Sequence, residues 1–145
     1  MNKDLVDLTF RLLFSLIFVG LGSEHMLSDD LIQKLMPAWV PMPSYVSIFC
    51  GAVLITGGVL IIIGYQIRFA SLMLGAFLIA VTLLVHAPAL FTEPSFVHAD
   101  SQWLWSILQR SNFVKNLCLL GVCLHLVQYT PGKWSVENYL ARTKK

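Results

Sequence analysis

The chain has 145 residues, of which 57% are hydrophobic and 12% charged, and its mean hydropathy is +0.72, whereas about a quarter of a soluble domain is charged. Between positions 35 and 92 the sole charged side chain is Arg68, and a fold this small has too little interior to hide two adjoining apolar stretches from water. Water-soluble enzymes and nucleic-acid-binding proteins are excluded, the formal charge of +2 points to no anionic partner, and the chain reads as an all-α integral membrane protein.

A spanning helix needs about 20 mostly apolar residues, and the first such segment covers 5–27. Arg11 interrupts it and no small-residue cleavage site follows, so it reads as a retained helix and not as a signal peptide. An amphipathic turn is expected over 30–36, then a stretch with Pro37, Pro41 and Pro43 that cannot continue a helix. Trp39 within it suits the membrane interface. The second span is expected at 44–64 and the third at 67–91; Tyr65 and Gln66 alone separate them, which makes a tight hairpin. The connection 92–111 carries Trp103 and Trp105 on a segment for which Ser101 is the candidate cap. A fourth span is expected at 112–129. After Pro131 and Gly132 the tail holds Trp134, Tyr139 and a basic end, the pattern of a short helix lying on the membrane surface. The expected architecture is one domain over 1–145, a four-helix transmembrane bundle with short interfacial helices in the first connection, the third connection and the tail. Cys50, Cys118 and Cys123 fall in apolar runs without a CxxC motif and read as buried small hydrophobes.

Basic residues set the orientation. Lys3, Arg11, Arg68, Lys133, Arg142, Lys144 and Lys145 fall on one side, and Lys34, Arg110 and Lys115 on the other. The excess places both termini in the cytoplasm, as a multi-pass protein of the plasma membrane, in bacteria the inner membrane.

Registering the helices from their inner ends aligns a set of polar residues. At 1.5 Å per residue, Glu24 and His25 lie about 20 Å beyond Arg11, and His86 about 27 Å beyond Arg68. Asn112, Lys115 and Asn116 enter from outside at the same depth. The stretch from Arg11 to Glu24 is shorter than the roughly 30 Å hydrocarbon core, so one of the two charges must snorkel, and Arg11 has the longer stem. Helical spacing puts Gly20 and Glu24 on one face, Gly75, Thr82 and His86 on another, and Asn112, Asn116 and Cys123 on a third. Ser47, Gly51 and Gly58 on the second helix permit close backbone approach. The expected site is an outward-facing polar pocket of Glu24, His25, His86 and Asn116, with Lys115 at its rim and the tryptophan-bearing connection as a cover. His125 lies deeper and His98 in a loop, both outside it.

Ionisable groups at membrane depth mark function by default. Against that stands a structural reading, in which Glu24 pairs with Lys115 or Arg110 and His86 donates to a carbonyl beside Pro88. No HxxxH or ExxH spacing supports a metal centre. A quinone-like ring suits the residues, since His and Asn can donate to its carbonyls while Glu24 and His25 pass protons. A lipid head group fits equally well. Whether the chain is catalytic stays open, as do its partners beyond the bilayer and its oligomeric state.

The runs GSEHMLSDDLIQKLMPAWVPMP, GAVLITGGVLIIIGYQIRFASLMLGAFL, LLVHAPALF and FVKNLCLLG resemble the DoxX family of small four-helix membrane proteins. The resemblance spans roughly 10–128 and rests on Glu24-His25, the prolines 37–41, Arg68, His86-Ala87-Pro88 and Lys115. It implies a small membrane subunit accessory to a quinone-linked or thiol-redox system, passing electrons or a quinone to a membrane or exported redox protein. Many members carry a glutamate in the second helix, where this chain has Leu54 or its neighbours, and a lysine where His25 stands.

Overall fold

The computed structural model describes residues 2–27, 32–33, 36–92 and 97–143. Helices account for most of them, and no strand occurs among the described residues. We number the helices α1 (Lys3–Leu27), α2 (Pro43–Ile63), α3 (Ile67–Ala89), α4 (Gln102–Leu126) and α5 (Val136–Thr143). The first three are long and apolar enough to cross a membrane. Their outer surfaces are inside-out relative to a soluble protein: Leu13, Phe49, Phe69 and Leu83 are all more than half exposed. Such a surface is stable only against hydrocarbon.

In lipid the hydrophobic effect does not press helices together, so close packing must do so. Among the described helices, α1 and α2 share the most extensive contact. A β-carbon on Gly22 would sit 2.9 Å from the Gly51 carbonyl oxygen, and one on Gly51 would sit 2.9 Å from that of Gly22. One turn-pair away, Gly58 faces Ser15 and Phe18. The buried Ser47, Gly51 and Gly58 thus form the face that the sequence assigned to close approach. Opposed positions on these antiparallel helices recur every seven residues, the period of a shallow left-handed crossing.

Consecutive helices pack in chain order, α1 on α2, α2 on α3 and α3 on α4. Along α1 runs an aromatic ladder, Phe10, Phe14 and Phe18, four residues apart. Phe10 also meets Tyr129, just beyond α4, at 5.9 Å between ring centroids. Phe18, Leu54, Ile61, Leu74, Cys123 and Leu126 complete the core.

Three local expectations are corrected. α4 starts at Gln102, ten residues ahead of the apolar run at 112, so Trp103 and Trp105 stand on its first turns and not on a separate cover. Ser101 occupies the cap position but makes no side-chain cap bond; its amide instead donates to His98 at 2.8 Å, closing a 3₁₀ turn over Ala99–Ser101. Of the cysteines only Cys123 is buried, Cys50 is half-buried and Cys118 is exposed on the outside of α4. Most of the expected turn over 30–36, with Lys34, lies outside the described residues, as do Lys144 and Lys145. The prolines do end the connection as expected: Val40 closes a turn on Pro37, and Pro43 opens α2 at a position where its missing N–H costs nothing.

Candidate functional site

Where the polar residues of the far end, opposite the termini, find partners is decided by α3. Pro88 has no N–H to donate, and its ring pushes away the carbonyl four residues back. The helix responds with a π turn over Thr82–His86, in which the Ala87 amide donates to the Thr82 carbonyl. Such turns recur at functional sites because they re-aim side chains within an otherwise regular helix.

Both side chains bounding this turn bond to α4. The His86 ring nitrogen Nδ1 lies 2.8 Å from Gln109 Oε1. An amide oxygen only accepts, so Nδ1 carries the proton and Nε2 of the neutral ring keeps a lone pair. Among the described residues Nε2 has no protein partner, and His86 is half-buried. One turn deeper, Asn116 Nδ2 donates to Thr82 Oγ1 at 3.1 Å, with both side chains buried. Below that, Gly75 packs against Cys123 and Leu120. Lys115 Nζ donates to Asn112 Oδ1 at 2.9 Å at the edge of the cluster. A double-mutant cycle over Thr82→Val and Asn116→Leu should give a coupling of about 0.6–2 kcal/mol; additive losses of stability would mean that this bond contributes nothing.

The expected pocket residues are not all in one hydrogen-bonded group. His86, Lys115 and Asn116 gather between α3 and α4. His25 belongs to the α1–α2 seam, where its Nδ1 lies 3.2 Å from Ser47 Oγ and its backbone carbonyl accepts from the same hydroxyl at 3.1 Å. Glu24 is exposed, together with Gly20, on the outer face of α1. It pairs with neither Lys115 nor Arg110 among the described residues. Spacing revealed that Gly20 and Glu24 share a face but not that this face points away from the bundle. Gln109 lies outside the expected pocket, because the apolar run that marks the fourth span begins after it. It sits seven residues before Asn116 and fourteen before Cys123, and all three are buried on one stripe of α4.

At the opposite end a second polar cluster forms around Arg11. Instead of snorkelling to water, this side chain is fully buried. It pairs with Asp7 at 3.0 Å, donates through Nη1 to the Ile61 and Ile62 carbonyls at the end of α2, and through Nη2 to the Trp134 carbonyl at 2.6 Å. The Ile61 and Ile62 carbonyls lie in the last turn of α2, the negative end of that helix, where a cation is favoured. Tyr129 donates its hydroxyl to the other Asp7 oxygen. An open cleft of about 580 Å³ lies beside this cluster, lined by Asp4, Asp7, Phe10, His125 and Tyr129 among others, and so His125 stands at the end away from His86. The carboxylates of this cleft are already engaged, Asp4 by the Lys133 amide at 3.1 Å and Asp7 by Arg11 and Tyr129.

The DoxX family model matches residues 6–87. Neither a curated protein nor a solved structure matches the chain. The matched stretch runs through α1, α2 and α3 as far as the end of the π turn and leaves Gln109, Lys115 and Asn116 beyond it. It covers more than half of a chain whose first three helices carry the apolar surfaces of membrane spans. The protein belongs to the DoxX family.

Proposed function

We propose that the protein is a small membrane subunit, accessory to a quinone-linked or thiol-redox system, that holds a quinone-like or lipid molecule at the polar cluster between α3 and α4. In this reading α4 is the fourth span of a bundle in the bacterial inner membrane, both termini are cytoplasmic, and the cluster faces outward. Redox equivalents come from a membrane or exported partner. The observation that carries the reading is the His86–Gln109 pair at the π turn. Gln109 fixes the proton on Nδ1, which leaves Nε2 to accept a ligand hydroxyl, while Lys115 stands nearby as a donor for a carbonyl or phosphate oxygen. His25 and Glu24 enter only as groups at the same depth on α1.

Titration of the detergent-solubilised protein with a short-chain quinol, followed by tryptophan fluorescence, tests this. The expected result is saturable binding weakened at least about tenfold by His86→Ala, the loss of a well-placed hydrogen bond in a dry site, and unchanged in Glu24→Ala. Binding unaltered by His86→Ala would overturn the assignment.

The alternative reading is a non-enzymatic scaffold or assembly factor whose polar layer only holds helices together. It is favoured by the Thr82–Asn116 bond, which ties two buried side chains of α3 and α4 to one another. Under it, the same titration shows no saturable binding in any variant, and Asn116→Leu lowers stability alone. Orientation is tested separately. A membrane-impermeant maleimide applied from outside should label His98→Cys and miss Asn138→Cys; the reverse pattern would turn the cluster toward the cytoplasm.

A further inference from the structure

We propose that the C-terminal segment from Lys133 through α5 is an anchor for anionic lipid head groups, held at the membrane surface by the turn between α2 and α3. The segment is tied to the end of α2. Gly64 ends α2 in a left-handed conformation, φ 67°, and a β-carbon there would collide with Ser135 at 2.5 Å and with Arg11 at 2.8 Å. The Gly64 carbonyl accepts from the Glu137 amide at 3.1 Å, and the Glu137 carboxylate accepts from the Gln66 amide at 2.8 Å. Ser135 Oγ accepts from the Asn138 amide at the first turn of α5. The turn at Gly64–Gln66 joins two helices long enough to span, so it lies where the hydrocarbon ends. Whatever is bonded to it shares that depth.

What α5 then exposes decides its neighbour. Trp134 is 51% exposed, Val136 36%, Tyr139 66% and Leu140 41%. On the helix, positions 136, 139 and 140 span an arc of about 100°, so one side of α5 is apolar and aromatic. Its single acid, Glu137, is turned to the protein by the bond to Gln66. Lys133 and Arg142 are exposed, and the sequence adds Lys144 and Lys145. An aromatic face at headgroup depth, flanked by cations whose only acid is engaged elsewhere, matches an anionic leaflet in both polarity and charge.

The test uses the full-length protein with its cysteines replaced and an environment-sensitive fluorophore at Tyr139→Cys, or at Ala141→Cys on the far side of α5. It is reconstituted into phosphatidylcholine vesicles with or without phosphatidylglycerol, each containing lipid spin-labelled near the head group. The expected result is several-fold stronger quenching at position 139 than at 141, increased by phosphatidylglycerol, with the increase lost on Lys133→Glu plus Arg142→Glu. Equal quenching at both positions would overturn the proposal. Quenching indifferent to phosphatidylglycerol would overturn its anionic specificity. Shielding of position 139 that appears only when the protein cross-links to a second copy would assign the face to self-association instead.

Discussion

Replacing Arg11 with alanine is expected to destabilise the folded protein by about 3–5 kcal/mol, the usual cost of removing one partner from a buried ion pair. The loss is large because one guanidinium serves four acceptors: Asp7, the two carbonyls that end α2 and the carbonyl of Trp134. Without it Asp7 is left beside Tyr129 alone, and the tail loses one of the bonds that dock it. Arg11→Lys keeps the charge but not the planar fork, so it should recover only part of the loss. Unfolding in mixed detergent measures the stability, and protease access to the segment around Lys133 measures docking. An alanine variant as stable and as protected as the parent would show that the cluster does not hold the tail.

The second large effect is expected at the α1–α2 seam. Gly22→Val and Gly51→Val each place side-chain atoms against a backbone oxygen that cannot rotate away, 2.9 Å from the β-carbon alone. The helices must separate, with a cost of at least about 3 kcal/mol, at the upper end for overpacked sites. Gly20→Val is the control, since a β-carbon there meets nothing within 4 Å. Poor accumulation of the first two variants beside normal accumulation of the third is the predicted pattern. Equal behaviour of all three would contradict the packing described.

The contrast between these sites shows what the sequence discloses. The second and third helices were legible because each is an apolar run bounded by proline, glycine or a two-residue turn, and the first because Arg11 alone breaks its apolar stretch between Asp7 and Glu24. The start of α4 was not, because its first ten residues mix Trp103, Leu104 and Trp105 with Gln102, Gln109 and Arg110, a pattern that suits a loop or an interface as well as a buried helix. Small residues on α2 disclosed the tight seam, since only close approach gives Ser47, Gly51 and Gly58 a reason to share a face. The partners of Arg11 stayed hidden because most are backbone carbonyls, which any residue supplies. At the other end, spacing grouped Thr82 with His86 and Asn112 with Asn116, and these are the faces that meet. It grouped Glu24 with them by depth alone, and depth does not tell which way a side chain points round its helix.

The claim that matters most is that the α3–α4 polar cluster holds a small molecule. Native mass spectrometry of the gently solubilised protein, with released molecules identified, addresses it most directly. The expected result is a retained quinone-like or lipid molecule that is lost from His86→Ala and kept by Glu24→Ala, with both variants inserted and folded. A bare polypeptide, or the same bulk lipid on every variant, would contradict the site and leave the cluster as helix-to-helix bonding.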